Sequence, residues 1–237
     1  MARHLKSYSG RLTVRQIARG INAARRNARR LAEDAQLLFD KGRYPTAAAL
    51  AILSIEETGK ESILRGIAWA TEDNELRISW KDFRSHTKKN AMWLFPQLVS
   101  KGARRLDDFA KLFKEEAEHT FLLDMIKQVS FYTDCLGKAH WSEPSDIIDK
   151  NLAEPLLEVA KIFLDDKEIT TKEVELWIKH MSPVRDKSLV EQKKALLNWY
   201  AELQEFGLTD ERHNIVDLLV WLGFTNDKGA DFNSTLG

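Results

Sequence analysis

Apolar residues recur at three- and four-residue intervals along nearly the whole chain, and no run of β-branched residues alternates convincingly. The pattern predicts an all-α protein. A first helix is expected over Leu12–Asp40, with Val14, Ile17, Ile21, Ala28, Leu31, Ala35 and Leu38 on one side. "KGRYP" ends it, because Gly42 suits a helix C-cap and Pro45 the first turn of the next helix. That second helix runs to about Ala70 and stops in "TEDNE". A third is expected over Ser79–Leu98, bent at Pro96, and a fourth over Arg105–Tyr132. "LGKAHWSEPSD" reads as a loop. Ser145 or Asp146 starts a fifth helix that reaches Leu164, and Thr170 or Thr171 caps a short sixth, "KEVELWIKHM". Helices over Lys187–Phe206 and Asp210–Leu222 complete the set. There is no internal repeat or Gly/Ser linker. Any boundary falls near Asp165–Thr171, which divides the chain into a bundle over 1–165 and a helical extension over 166–237 packed on it.

Charged residues interrupt this pattern. Glu56, Glu57 and Lys60 project among Leu53, Leu64 and Ile67 rather than along the polar strip of Ser54, Glu61 and Arg65. One reading is a Glu56–Lys60 pair on a partly exposed ridge, worth a few tenths of a kcal/mol. The other is a buried polar site completed by a second helix. Gly59 supports the latter, since a mid-helix glycine costs about 1 kcal/mol against alanine and is kept where another helix approaches. On the third helix His86, Asn90 and Trp93 stand at i, i+4 and i+7, with Lys89 at the edge. Such a histidine is either a satisfied core residue or, facing a carboxylate that fixes its tautomer, an acid or base. On the fourth, Glu116 and Lys127 fall within an apolar stripe. Glu116 and His119 also form the i, i+3 half-site of di-iron carboxylate bundles, but no second Glu-x-x-His exists in the chain. No metal or other cofactor is expected.

Composition narrows the class. Of 237 residues, 43% are hydrophobic and 30% charged, as in a soluble globular protein. Cys135 is the one cysteine, so no internal disulfide can form and a cytoplasmic location is expected. No stretch resembles a secretory signal or a membrane span. The net charge is zero, yet residues 1–30 hold nine Lys or Arg and no acid. Wound into a helix, Arg11, Arg15, Arg19, Arg26, Arg29 and Arg30 fall within a stripe of about 100°. It is either a solvated face or a surface for nucleic acid or an acidic partner, which would relieve the like-charge repulsion. Gly-rich phosphate loops, nucleophile elbows, paired-cysteine sites and His-Glu-x-x-His are all missing, so ordinary hydrolase templates gain no support.

The segment "ARRLAEDAQLLFDKGRYPTAAALAILSIEETGK" resembles the opening of the AbiV family of bacterial abortive-infection proteins. "FRSHTKKN" resembles that family's Phe-x-x-His-x-x-Lys element, and "KQVSFYTDCLGKAHWSEP" its Tyr-x-Asp segment. The match runs in order from about Ala28 to Pro144. The family is similar to HEPN domains, which are compact helical bundles, often dimeric, and many of them ribonucleases. The resemblance implies a HEPN-like bundle with additional C-terminal helices, and antiphage activity through RNA damage or a block on translation. It also groups Glu56, Glu57, Lys60, His86 and Lys89 as one polar cluster. HEPN ribonucleases carry an Arg, four to six residues, then a His. This chain has no such pair, and Lys127, Tyr132 and Asp134 stand at the corresponding offsets. An enzyme of this kind would use His86 as base or acid, oriented by Glu56 and Glu57. Lys60, Lys89 or Lys127 would neutralise the phosphate. Arg15, Arg19, Arg26, Arg29 and Arg30 would bind nucleic acid. Two alternatives remain: a non-catalytic effector that binds RNA, a ribosome or a phage protein, and a carboxylate di-metal protein. A homodimer with no membrane contact is expected.

Overall fold

The computed structural model describes residues 7–90 and 118–209. Helix α1 spans Val14–Asp40 and opens with a reciprocal cap. Thr13 Oγ1 accepts the Gln16 backbone N–H at 3.3 Å, and Gln16 Oε1 accepts that of Thr13 at 2.8 Å. At its far end Gly42 takes a φ of +69°, a conformation that favours glycine, and Arg43 N–H returns to Leu38 O at 2.9 Å. Pro45 then sits in the first turn of α2, Tyr44–Trp69. The two form an antiparallel hairpin. Small residues let them approach closely: Ala47, Ala48 and Ala51 of α2 are buried, as are Ala24, Ala28, Ala32 and Ala35 of α1. Ser54 Oγ bridges them by donating to Ala28 O at 2.7 Å.

The remaining elements wrap around α2. They are α3 (Asp73–Arg84), α4 (His86–Lys89), α5 (Glu118–Phe131), strands β1 (Asp134–Leu136) and β2 (His140–Ser142), α6 (Pro144–Ile147) and α7 (Lys150–Ile162). Then follow α8 (Thr171–Met181), a 3-10 turn at Ser182–Val184 and α9 (Leu189–Glu205). Helices α1, α3, α4, α5, α7 and α8 all pack on α2. The described chain is helical apart from one antiparallel hairpin, which pairs Asp134 with Ser142 and Leu136 with His140.

Two apolar clusters hold the bundle. One joins Ile52 and Ile55 of α2 to Leu123, Ile148, Leu156 and Leu157. The other joins Leu64 and Ile67 of α2 to Ile17, Ile21, Leu76, Trp80, Ile169 and Val174. Ile169 and Val174 lie beyond the expected boundary at residue 165, so α8 and its lead-in share core with α1 to α3. Between Ile55 and Leu64, α2 supplies no residue to either cluster. Glu56, Glu57, Gly59 and Lys60 occupy that gap.

Several expected elements differ. The third helix begins at Asp73, not Ser79, because Glu72 and Glu75 form a reciprocal cap within the polar "TEDNE". It also breaks at Ser85, whose φ and ψ of −76° and 133° are extended. His86 therefore starts a new turn rather than continuing one face with Phe83. The expected loop "LGKAHWSEPSD" instead holds the end of β1, the whole hairpin turn, β2 and the start of α6, with Gly137 and Ala139 of the turn both at positive φ. The fifth helix is divided, because Asp149 caps α7 by accepting Leu152 N–H at 3.0 Å. Pro96, the start of the fourth helix and the eighth helix lie outside the described residues.

Candidate functional site

The gap in the apolar face of α2 is filled by a carboxylate that three bases share. Glu56 is 2% exposed. Its Oε1 accepts Lys127 Nζ of α5 at 2.6 Å. Its Oε2 lies 2.7 Å from His86 Nδ1 and 3.4 Å from Lys89 Nζ, both of α4. Lys127 Nζ also stands 2.7 Å from Asp124 Oδ1, as an ion-pair contact without hydrogen-bond alignment. With His86 neutral the buried group balances: Glu56 and Asp124 against Lys89 and Lys127. A balanced, closely paired set is the condition under which buried charge is tolerated.

Gly59 makes this convergence possible. It lies one turn beyond Glu56 on α2, and a β-carbon there would run into the backbone carbonyl of Lys89. The two backbones touch. That contact brings both His86 and Lys89 within reach of Glu56.

Burial and partners divide the roles of the two lysines. Burial opposes the charge of Lys89 and outweighs its attraction to Glu56, so its pKa lies below the ordinary lysine value. Burial also opposes the charge of Lys127, but Asp124 and Glu56 together prevail and hold its pKa above that value. His86 differs from both, since its side chain is 55% exposed. A carboxylate at Nδ1 assigns the ring proton there, leaving Nε2 as an acceptor. This imidazole is anchored at one nitrogen, and much of its ring faces solvent.

The other candidate residues fall outside this arrangement or at its rim. Glu57 pairs with Lys60 at 2.6 Å and makes no bond to His86. The Lys60 ammonium lies 5.2 Å from the centre of the Phe83 ring. Tyr132 is 63% exposed, and Asp134 accepts the Cys135 N–H within β1, so neither is bonded to Glu56. Asn90 is fully buried, and its side-chain amide has no hydrogen-bond partner among the described residues. Glu116 and Trp93 lie outside the described residues, as does the side chain of His119. Asp124 escaped the sequence reading. Its signal was the i, i+3 spacing to Lys127 on one helix.

Glu56, His86 and Asp124 present ligand atoms within 4.8 Å of one another, the one such group among the described residues. The Lys127 ammonium lies 2.6 Å from Glu56 Oε1 and 2.7 Å from Asp124 Oδ1, and so bridges the two carboxylates of that trio. The donor set is thus already served by a cation of the chain itself.

The arginines of α1 are largely neutralised from within. Arg25 pairs with Glu61 and Asp165, Arg26 with Glu168, Arg29 with Asp166 and Arg30 with Asp34. Arg11 binds the carbonyls of Ala70 and Thr71 and the carboxylate of Asp73. Arg15 and Arg19 are exposed and have no such partner among the described residues. Three of these acids belong to the segment "DDKE" at 165–168, which joins α7 to α8. Asn22 fastens that segment through paired bonds with the Ile169 backbone, at 2.9 and 2.8 Å.

The family model HEPN_AbiV, described as AbiV, matches residues 16–165. No curated protein matches the chain. No solved structure matches it either. Among the described residues, no helix is long and apolar enough to cross a membrane.

Proposed function

The chain belongs to the AbiV family of HEPN-type abortive-infection proteins, and on that premise we propose that it is an antiphage effector that cleaves RNA. One observation carries this reading: the Nδ1 of a half-exposed His86 rests 2.7 Å from the buried carboxylate of Glu56. In that state Nε2 is available to take the proton of an RNA 2′-hydroxyl. The 2′-oxygen then attacks the adjacent phosphorus, and the bond to the 5′-oxygen breaks. That oxygen takes a proton from solvent, and the imidazolium later returns its own. The products are a 2′,3′-cyclic phosphate and a 5′-hydroxyl.

Glu56 is the positioning residue of this scheme; Lys89 and Lys127 hold Glu56, and Asp124 holds Lys127 in turn. At 20% exposed, Lys60 is the lysine of the group best placed to offset phosphate charge. Arg15 and Arg19 supply a secondary contact to the polyanion. The exposed apolar row of Phe121, Leu122 and Met125 on α5 supports assembly as a homodimer.

Incubating the purified chain with total RNA tests the reading. Wild type should leave cyclic-phosphate ends and His86→Ala none, while both melt alike. Equal cleavage by the two would end the assignment. A second reading draws on the burial of Lys89 and Lys127: the cluster serves only to lock α2, α4 and α5, and the protein acts by binding RNA, a ribosome or a phage protein. Under that reading His86→Ala retains full phage protection.

A further inference from the structure

Helix α3 carries a basic face of its own. Arg77, Lys81 and Arg84 stand at i, i+4 and i+7 and so share one side of the helix. Together with Arg11 they line a cleft of about 430 Å³ whose wall includes one carboxylate, Asp73. Trp80 also lines it, with its indole N–H donated to Gly10 O at 3.0 Å and the Arg84 guanidinium 5.2 Å from its ring centre.

What separates this cleft from the α1 face is the nature of the partners. Four arginines of α1, Arg25, Arg26, Arg29 and Arg30, meet carboxylates, which offset their charge. Here Arg84 is held by the backbone carbonyls of Trp80 and Tyr8, and Arg77 by the side-chain oxygen of Asn74 at 2.9 Å. Lys81 has no hydrogen-bond partner among the described residues. Neutral acceptors fix a guanidinium in place without cancelling its charge. Arg11 alone reaches a carboxylate, at 3.2 Å, and that pair is solvent-exposed and weak. The cleft is therefore a preformed cationic pocket, large enough for a nucleotide-sized group.

Its position matters as much as its charge. α3 ends at Arg84 and α4 begins at His86, with one extended residue between them. Two trans peptide steps separate the Cα atoms of Arg84 and His86 by no more than about 7.6 Å. The Arg84 end of the cleft is thus close, along the backbone, to the start of the helix that carries His86.

We propose that this cleft binds the phosphate backbone of single-stranded RNA and leads the strand to His86, an assignment that rests on the ribonuclease reading above. A narrow positive groove that tracks one backbone is how single strands are held without regard to sequence. Arg77 and Lys81 are the phosphate contacts, and Arg84 and Arg11 frame them.

The test is an anisotropy titration, across a salt series, with a labelled 2′-O-methyl RNA that lacks the attacking hydroxyl. Wild type is compared with an Arg77→Gln/Lys81→Gln variant. Both positions are exposed, so a melting curve should show the variant folded. The variant should bind about tenfold more weakly at low salt, and its slope of log K against log salt should fall by about 1.4, for two lost phosphates on a single strand. Unchanged affinity and slope would overturn the assignment. So would a duplex of equal length that binds as tightly through the same two residues. The ribonuclease reading fails separately: if wild type leaves total RNA intact while oligonucleotide binding still depends on Arg77 and Lys81, the cleft stands and the catalysis falls. If His86-dependent cleavage is seen but binding ignores Arg77 and Lys81, only the cleft falls.

Discussion

The backbone carbonyl of Lys89 lies inside the space that a β-carbon on Gly59 would occupy. An alanine at position 59 would gain about 1 kcal/mol of helix propensity, yet it must push a backbone aside rather than a flexible side chain. Gly59→Ala should therefore lower stability by about 1–3 kcal/mol overall and shift the His86 ring signals away from their Glu56-bound position. Denaturant melts with histidine NMR check both. A more stable Gly59→Ala protein would show that the contact is slack.

Lys127 and Lys89 should respond differently to replacement by methionine. Lys127→Met leaves Glu56 and Asp124 without their shared cation, a loss of about 3–5 kcal/mol. Lys89→Met removes a charge that burial already opposes and a contact of 3.4 Å. Its cost should be about 1 kcal/mol or less, towards the low end for single substitutions. Urea midpoints for the two variants distinguish these outcomes, and equal losses would contradict the division of roles.

The same division sets the alkaline pH dependence. Lys127 has a raised pKa in the fold, so its contribution is fully present below the unfolded value of 10.5 and is lost as pH climbs through the higher folded value. Lys89 has a lowered pKa, so the folded chain releases that proton first. Between the lowered value and 10.5 the unfolded chain binds more protons, and stability from this group rises with pH. Stability measured through the alkaline range up to pH 10.5 should show this rise in wild type and lose it in Lys89→Met.

Divalent cations should not stabilise the protein, because Lys127 already bridges Glu56 and Asp124. Melting temperatures with excess manganese, zinc or chelator should agree. A clear rise with either metal would mean that the ammonium yields its place, reviving the carboxylate-metal alternative.

Replacing arginines on α1 should now be read as breaking pairs. Arg26→Gln and Arg30→Gln each remove an exposed ion pair, with Glu168 and Asp34, and should cost up to about 1 kcal/mol apiece. Simple relief of like-charge repulsion would instead raise the melting temperature. Differential scanning calorimetry decides the sign.

Much of this architecture was legible along the chain. Gly42 and Pro45 mark the junction of α1 and α2 by local chemistry that needs no tertiary information, whereas the Thr13–Gln16 cap that sets the start of α1 was passed over in favour of Leu12. The charges at Glu56, Glu57 and Lys60 were visible as a breach in an apolar face, and Gly59 as a close approach. Their partners were harder to read. His86 turns towards Glu56 only because Ser85 is extended, and a periodic pattern carried through Ser85 hid that break. The cap at Glu72 and Glu75 lies inside a stretch that reads as a terminator, so Arg77 was left outside its helix and the basic face of α3 went unseen. Much of the neutralisation of the α1 arginines comes from Asp165, Asp166 and Glu168, some 140 positions away. Periodicity on one helix cannot report that.

The strap at 165–168 has a practical corollary. The family match stops at residue 165, which makes that position an inviting place to trim the chain to a minimal domain. Such a trim would discard Asp166 and Glu168 along with Ile169, a member of the core, and strip α1 of counter-ions that the full chain carries in place. The shortened protein would leave Arg26 and Arg29 without their carboxylates, and this more basic α1 face would hold oligonucleotides at low salt more tightly than the full chain does. Affinity measured on it would describe the cut rather than the protein.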